Sequence, residues 1–391
     1  MHDERHTLAQ PSFRLSSAPP VSRMSERRPE LRALTGARFV AAAAVVAFHF
    51  VRRSVPDEVG VLRTLVARGY VGVSFFFVLS GFVLTYTYGF GGLERAGAVV
   101  AYARARFARI YPLYLVSLAL GLVAAWSWLS RQPFTWASVL QNTQVLSLLN
   151  AFHHRGMFHL NWAAWSLSVE VSFYALLPWL LGPMERMRAA RLLMLGVLMT
   201  LITMFAVLCF GWFDPDALGH LLLPEDNGIF AAYFKFFPAF HVHAFLWGVI
   251  AAVVFLRLQP RLLSIRRGLR EPALTALLML VIGLLAWLPP GAYLALNDGL
   301  LAPVFACTLI LLAGPETSYS RVLSAAPVHL LGRASYAIYI LHVPLYLWLK
   351  ERAWLGTPAY LALLLVVSVT AFALIEEPAR RWLKRDATKA R

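Results

Sequence analysis

Long apolar runs dominate this chain, and short charged stretches separate them. The runs fall at 34–51, 69–90, 110–130, 165–182, 191–212, 236–256, 272–289, 294–313, 330–349 and 357–376. They approach or exceed ~18 residues, the length needed to cross a bilayer core. Backbone facing lipid must satisfy its own hydrogen bonds, so each run is expected to be helical. The pattern predicts an all-α, polytopic transmembrane bundle of about ten helices. Two stretches fit loosely. Residues 131–164 form a long segment with apolar patches, expected to be partly re-entrant, and 294–313 is interrupted by Asn297 and Asp298. There is no internal repeat and no sign of a soluble domain.

Composition strengthens this reading. The chain is 59% hydrophobic and 14% charged, against ~25% charged in a soluble protein. Too little polar surface exists to cover a water-soluble globule. The net charge of +16 raises nucleic acid as a partner, but the charges lie in short loops between apolar runs and form no contiguous patch. Such placement follows the positive-inside bias instead. With ten crossings and both termini cytoplasmic, the inner segments carry 27 of the 36 Lys and Arg residues. The acidic stretch 213–228, with Asp214, Asp216, Glu225 and Asp226, then falls outside. Residues 1–30, rich in Arg, Ser and Pro without an apolar signal core, are expected to be a disordered basic cytoplasmic tail. Residues 381–391 are expected to be a second basic tail. Cys209 and Cys307 both fall inside apolar runs and carry no disulfide signature.

Ionisable side chains within a spanning helix are expensive and point to function by default. The first run holds two, Arg38 and His49. At ~100° per residue their separation is about three turns plus ~20°, so both side chains share a face, ~16.5 Å apart along the axis. A snorkelling Arg and an interfacial His would explain each alone but not the shared face. Arg104, Arg106 and Arg109 form a cluster at the start of the third run. Guanidinium forks suit phosphate oxygens, though taken alone the cluster is better explained by ordinary positive-inside charge, and it gains weight only from what surrounds it. The fourth run opens with Trp165-Ser166-Leu167-Ser168-Val169-Glu170, which puts Ser166 and Glu170 on one face. Glu170 at this depth needs an Arg or His partner or must stay protonated. The ninth run carries a polar stripe, Ser335, Tyr339, His342 and Tyr346, that either packs against other helices or lines a cavity. Glu376, before Glu377 and Pro378, reads as interfacial. Nothing in the sequence fixes His153, His154, His159, His241 and His243 as the convergent ligands a metal site needs, so no metal is expected. Phosphate-loop, G-x-S-x-G and H-E-x-x-H patterns are missing.

Taken in order, these features resemble the membrane acyltransferase-3 family over roughly Arg32 to Arg380. Arg38 and His49 match its R-x10-H motif, Phe75 to Phe82 its second-helix signature, and Arg104 with Arg106 its R-x-R. Trp165 to Glu170 match W-S-L-x-x-E, Leu331 to Tyr336 with His342 the ninth-helix pattern, and Glu376 to Pro378 the closing E-x-P. Ala244 stands where the family often has Arg, and the C-terminal soluble hydrolase-like domain of some relatives is missing.

The resemblance implies that 31–380 is a transmembrane acyltransferase domain of the bacterial inner membrane, taking acyl-CoA, with acetyl-CoA expected, as donor co-substrate. Arg104, Arg106 and Arg109 would hold the donor's phosphates. His49 would act as base on the acceptor hydroxyl or accept the acyl group itself. Glu170 or His342 would orient His49, and Arg38 would guide the donor. The acceptor would be a sugar of an exopolysaccharide, a lipid-linked saccharide or a similar glycan, met directly or through a separate periplasmic or extracellular partner. The competing class is a transporter or proton-coupled carrier, in which the same His and Glu would be relay groups. The inverted repeats common in that class are not visible here.

Overall fold

The computed structural model describes residues 28–56, 58–131, 135–153, 160–213, 229–264, 266–350 and 356–382. Most of both tails, His154, His159 and the acidic stretch from 214 to 228 lie outside these. The described residues are helical throughout, without strands, and nine helices among them are long and apolar enough to cross a membrane. The chain is a multi-pass membrane protein.

Nine of the ten apolar runs become such helices. The exception is 330–349, which divides into a helix at Ala326–Arg333 and another at Ser335–Lys350. At 16 residues the second is about 24 Å long, less than the ~30 Å hydrocarbon core. It does not face lipid, for every residue from Ser335 to Leu345 is buried. This central helix packs against Ala98–Leu129, Thr357–Ala371 and the first helix, Arg32–Val46.

Prolines inside the helices leave carbonyls without their helical donor, and at two of them a side chain from elsewhere in the chain fills the place. Pro344 has no N–H for the carbonyl of Ile340, four residues before it. Nδ2 of Asn161 donates to that carbonyl at 2.9 Å. Pro178 likewise frees the carbonyl of Tyr174, which accepts from the Tyr102 hydroxyl at 3.1 Å. Away from water an unfilled acceptor costs ~1–3 kcal/mol, so these polar residues belong to the helices they cap.

Arginines serve helix carboxyl ends in the same way. Arg68 donates to the Leu285 carbonyl at 2.6 Å, Arg257 to Met187 at 2.7 Å and Arg270 to Leu311 at 2.6 Å. Each meets the unpaired carbonyls and negative dipole end of a helix.

Helices without water between them associate by close packing. Val71–Tyr88 and Pro238–Ser264 make the most extensive pairing in the molecule, and glycines permit it. A Cβ on Gly81 would stand 2.2 Å from the Phe245 carbonyl oxygen, and one on Gly248 would stand 1.9 Å from that of Val78. Gly81 belongs to the second-run signature, which thereby has a packing explanation.

Two loosely fitting stretches take definite forms. Within 131–164 lies a helix at Trp136–Leu146, followed by single turns at Asn150–Phe152 and Trp162–Ala164. The 294–313 run breaks where its polar pair predicts, into helices Tyr293–Asn297 and Ala302–Ala313. Gly299 supplies the left-handed residue of the break at φ 97°.

Candidate active site

The first helix does not end in regular form. After Val46 it continues as a π-helical turn over Ala47–Val51, which contains His49. Such turns concentrate at functional sites because they re-aim side chains. Arg38 and His49 still share a face, since both meet the central helix. Nε of Arg38 donates to the Ser335 hydroxyl at 3.2 Å, and Nδ1 of His49 lies 3.0 Å from Nε2 of His342. Ser335 and His342 are seven residues, two turns, apart on their own helix. The two helices therefore run side by side in the same direction, with one polar seam between them.

Hydrogen-bond partners fix how the histidines are protonated. Nδ1 of His342 faces the carbonyl of Tyr339. A carbonyl only accepts, so Nδ1 carries the proton, and the neutral ring presents a lone pair at Nε2. With His49 neutral, the tautomer that matches this lone pair donates from Nδ1–H and leaves Nε2 unprotonated. The rings are stacked, with centres 4.9 Å apart at 27°. His342 is fully buried, while His49 is partly exposed. The Tyr360 hydroxyl donates to the His342 carbonyl at 2.6 Å, and Tyr339 meets Ser166 at 2.7 Å. The predicted polar stripe is thus clamped along its length. A held imidazole with a free ring nitrogen is the arrangement a general base requires.

Glu170 is placed elsewhere. Its Oε1 accepts from the Tyr174 hydroxyl at 2.5 Å and from Ser80 at 3.0 Å. It lies within electrostatic range of Arg38 and Arg106, at the opposite end of the seam from His49. Of the two residues expected to orient His49, His342 makes the contact.

The three arginines of the third run also separate. Arg106 is half-buried, with its guanidinium 5.8 Å from the ring centres of both Tyr88 and Tyr174. Its Nε has no hydrogen-bond partner. Arg109 is half-buried within electrostatic range of Arg38 and Glu376. Arg104 is exposed. Glu376, read from sequence as interfacial, is buried at 1% exposure in a second π-helical turn, Phe372–Glu376. One Arg380 amino group lies 3.7 Å from it. Charges of both signs thus meet at the Arg38 end of the seam, with Arg38, Arg106, Arg109 and Arg380 outnumbering Glu170 and Glu376. Forked cations with an open donor suit an incoming phosphate.

Among the described residues no group of three potential metal ligands converges. His241 and His243 are buried and join a different cluster, which includes Lys235 and Asp298. Sequence reading passed over those two. Lys235 was not singled out and Asp298 stood only as an interruption, although each is an ionisable residue at the edge of, or inside, an apolar run.

One protein family matches residues 31–377, and its members share an acyltransferase domain. Among curated proteins, the chain is 34% identical over 161 residues to acyltransferase MdmB of Streptomyces mycarofaciens, a stretch covering 40% of each chain. It is 48% identical over 54 residues to protein 2 in the picA locus of Rhizobium radiobacter, covering 14% of this chain and 28% of that one. The matches thus span less than half the length of either relative. No solved structure matches the chain.

Proposed function

Because the chain belongs to the family built on this acyltransferase domain, we propose that it is an acyl-CoA-dependent O-acyltransferase of the bacterial inner membrane. On this reading both termini are cytoplasmic. The acyl group, acetyl in the simplest case, passes to a hydroxyl of a sugar in an exopolysaccharide, a lipid-linked saccharide or a similar glycan. The observation that carries the proposal is the His49–His342 couple at one end of a seam whose other end gathers Arg38, Arg106 and Arg109.

The donor's phosphates bind at the arginine end, with Arg106 and Arg109 as principal contacts and Arg104 at the entrance. The pantetheine arm follows the seam past Arg38 and brings the thioester to His49, ~16 Å away along the helix. Nε2 of His49 takes the proton of the acceptor hydroxyl as its oxygen attacks the thioester carbonyl carbon. The tetrahedral species collapses, the carbon–sulfur bond breaks, and His49 returns the proton to the departing sulfur. The products are the ester and free CoA. His342 orients the imidazole and shares the charge it gains. Such a base contributes ~10²–10⁴-fold to rate.

The test compares surface glycans of cells with and without the protein by mass spectrometry, beside cells carrying His49→Ala. Ester-linked acyl groups that need the protein and vanish with His49→Ala are expected. Identical glycan profiles in all three strains would overturn the acceptor class.

A further inference from the structure

Lys235 has no part in the path just described, yet it lies inside the Ala232–Gln259 span, where a charge is costly without a task. Its ammonium stands 5.2 Å from the ring centre of Tyr293 and 5.0 Å from that of Phe236. It is within electrostatic range of Asp298 and, together with Arg52, of His49.

Asp298 sits in the helix break. Its Oδ1 accepts from Asn297 Nδ2 at 2.9 Å, its Oδ2 has no hydrogen-bond partner, and the residue is fully buried. The break is pinned in place, for Ser74 donates to the Asn297 carbonyl at 2.6 Å. Non-helical backbone at this depth is tolerated only inside protein or beside a cavity. Nδ1 of His241 is 3.9 Å from the Asp298 carboxylate, but His241 is not the cation that balances it. Nε2 of His241 faces the Lys235 carbonyl at 3.1 Å. Nε2 therefore carries a proton, while Nδ1 makes no hydrogen bond to the carboxylate that would hold a second one. Lys235 is the cation within electrostatic range of Asp298, and Asn297 ties the two together by donating to the Lys235 carbonyl at 3.0 Å as well as to Asp298.

A short run of rings joins the two couples: Tyr293, beside the Lys235 ammonium, lies 4.5 Å from Tyr70, whose ring is 5.4 Å from that of Phe48, the neighbour of His49. His49 and Lys235 are each partly exposed, and each is backed by a fully buried residue, His342 and Asp298. An accessible working group held by a buried partner is how sites are preorganised.

We propose that Lys235, held by Asp298, is the cation that stabilises the oxyanion of acyl transfer at His49. This rests on the acyltransferase reading. As the hydroxyl oxygen bonds to the thioester carbon and its proton moves to Nε2 of His49, the carbonyl oxygen takes up the negative charge beside the Lys235 ammonium. When the carbonyl re-forms, the carbon–sulfur bond breaks and the proton goes from His49 to sulfur. No further reactant is needed. Lys235 is then a catalytic residue, and Asp298 is a positioning residue.

Turnover of acetyl-CoA with water as acceptor tests this without knowledge of the sugar. Lys235→Met should lower kcat for acetyl-CoA hydrolysis about 100-fold while a non-hydrolysable acetyl-CoA analogue binds as before, and Lys235→Arg should recover at least about tenfold of that loss. Full hydrolysis in Lys235→Met overturns the proposal and leaves an acceptor-binding role for this cluster. Loss of analogue binding together with kcat also overturns it, because that is a structural effect. Failure of the unmodified protein to consume acetyl-CoA, with or without glycan, would instead strike the acyltransferase reading beneath it.

Discussion

Nδ1 of His49 lies 3.0 Å from Nε2 of His342, and this contact gives the second histidine a role that can be separated from that of the first. His342 holds the ring by accepting a hydrogen bond from it, but it is buried and stands behind His49. His342→Ala is expected to lower kcat by about 10²-fold, the scale of a misaligned base. The KM for acyl-CoA should stay near its original value, because the phosphates bind at the other end of the seam. Steady-state kinetics on purified protein check this. A rise in KM alone would contradict it.

Arg104 and Arg106 make a contrast that sequence spacing hides. Arg106→Ala removes a half-buried guanidinium with an open donor, and a charged hydrogen bond is worth ~1.5–3 kcal/mol. Donor affinity should fall about 10- to 100-fold on that scale, with the larger loss at low salt, where charge is least screened. Arg104→Ala removes an exposed cation and should change affinity much less. Binding of an acyl-CoA analogue by both variants at two ionic strengths decides it. Equal effects would place the phosphates at the surface.

Asn161 fills the carbonyl that Pro344 leaves open, two residues before His342. Asn161→Ala should cost about 1–3 kcal/mol of stability, read as a lowered Tm in detergent. Tyr102→Phe should behave similarly through the Tyr174 carbonyl. Unchanged thermal unfolding in both would show that water or another group satisfies these acceptors.

Gly248 allows two backbones to touch. Gly248→Leu puts a Cβ 1.9 Å from the Val78 oxygen, which no rotamer change relieves. The expected result is loss of monodisperse protein on size-exclusion chromatography. Gly268, whose added Cβ meets nothing within 4 Å, serves as the control, and Gly268→Ala should be silent. A well-behaved Gly248→Leu protein would mean that the pairing of these helices is looser than described.

The number of helices and the Arg38–His49 face were legible because both depend on local periodicity, which the sequence carries directly. His342 was legible as part of a stripe, but its partner was not, since the choice between Glu170 and His342 depends on which helices adjoin. The π-helical turns at His49 and Glu376 have no compositional signature, so the burial of Glu376 was not readable in advance. Lys235 and Asp298 were hidden more deeply. One lies in the last turn of the short helix Ile229–Phe236, the other just past Tyr293–Asn297, and only the folded chain brings the two together. The prolines tell the same story, because the residues that answer Pro344 and Pro178 lie far away in sequence.

Acyl transfer by the purified protein tests the central claim most directly. Protein in lipid nanodiscs would be given acetyl-CoA carrying a labelled acetyl group together with glycan from its own membranes, and His49→Ala would run beside it. The account predicts release of CoA and ester-linked label with the unmodified protein, and background levels of both with a His49→Ala protein that elutes and melts normally. Equal transfer by the two proteins would contradict the role of His49.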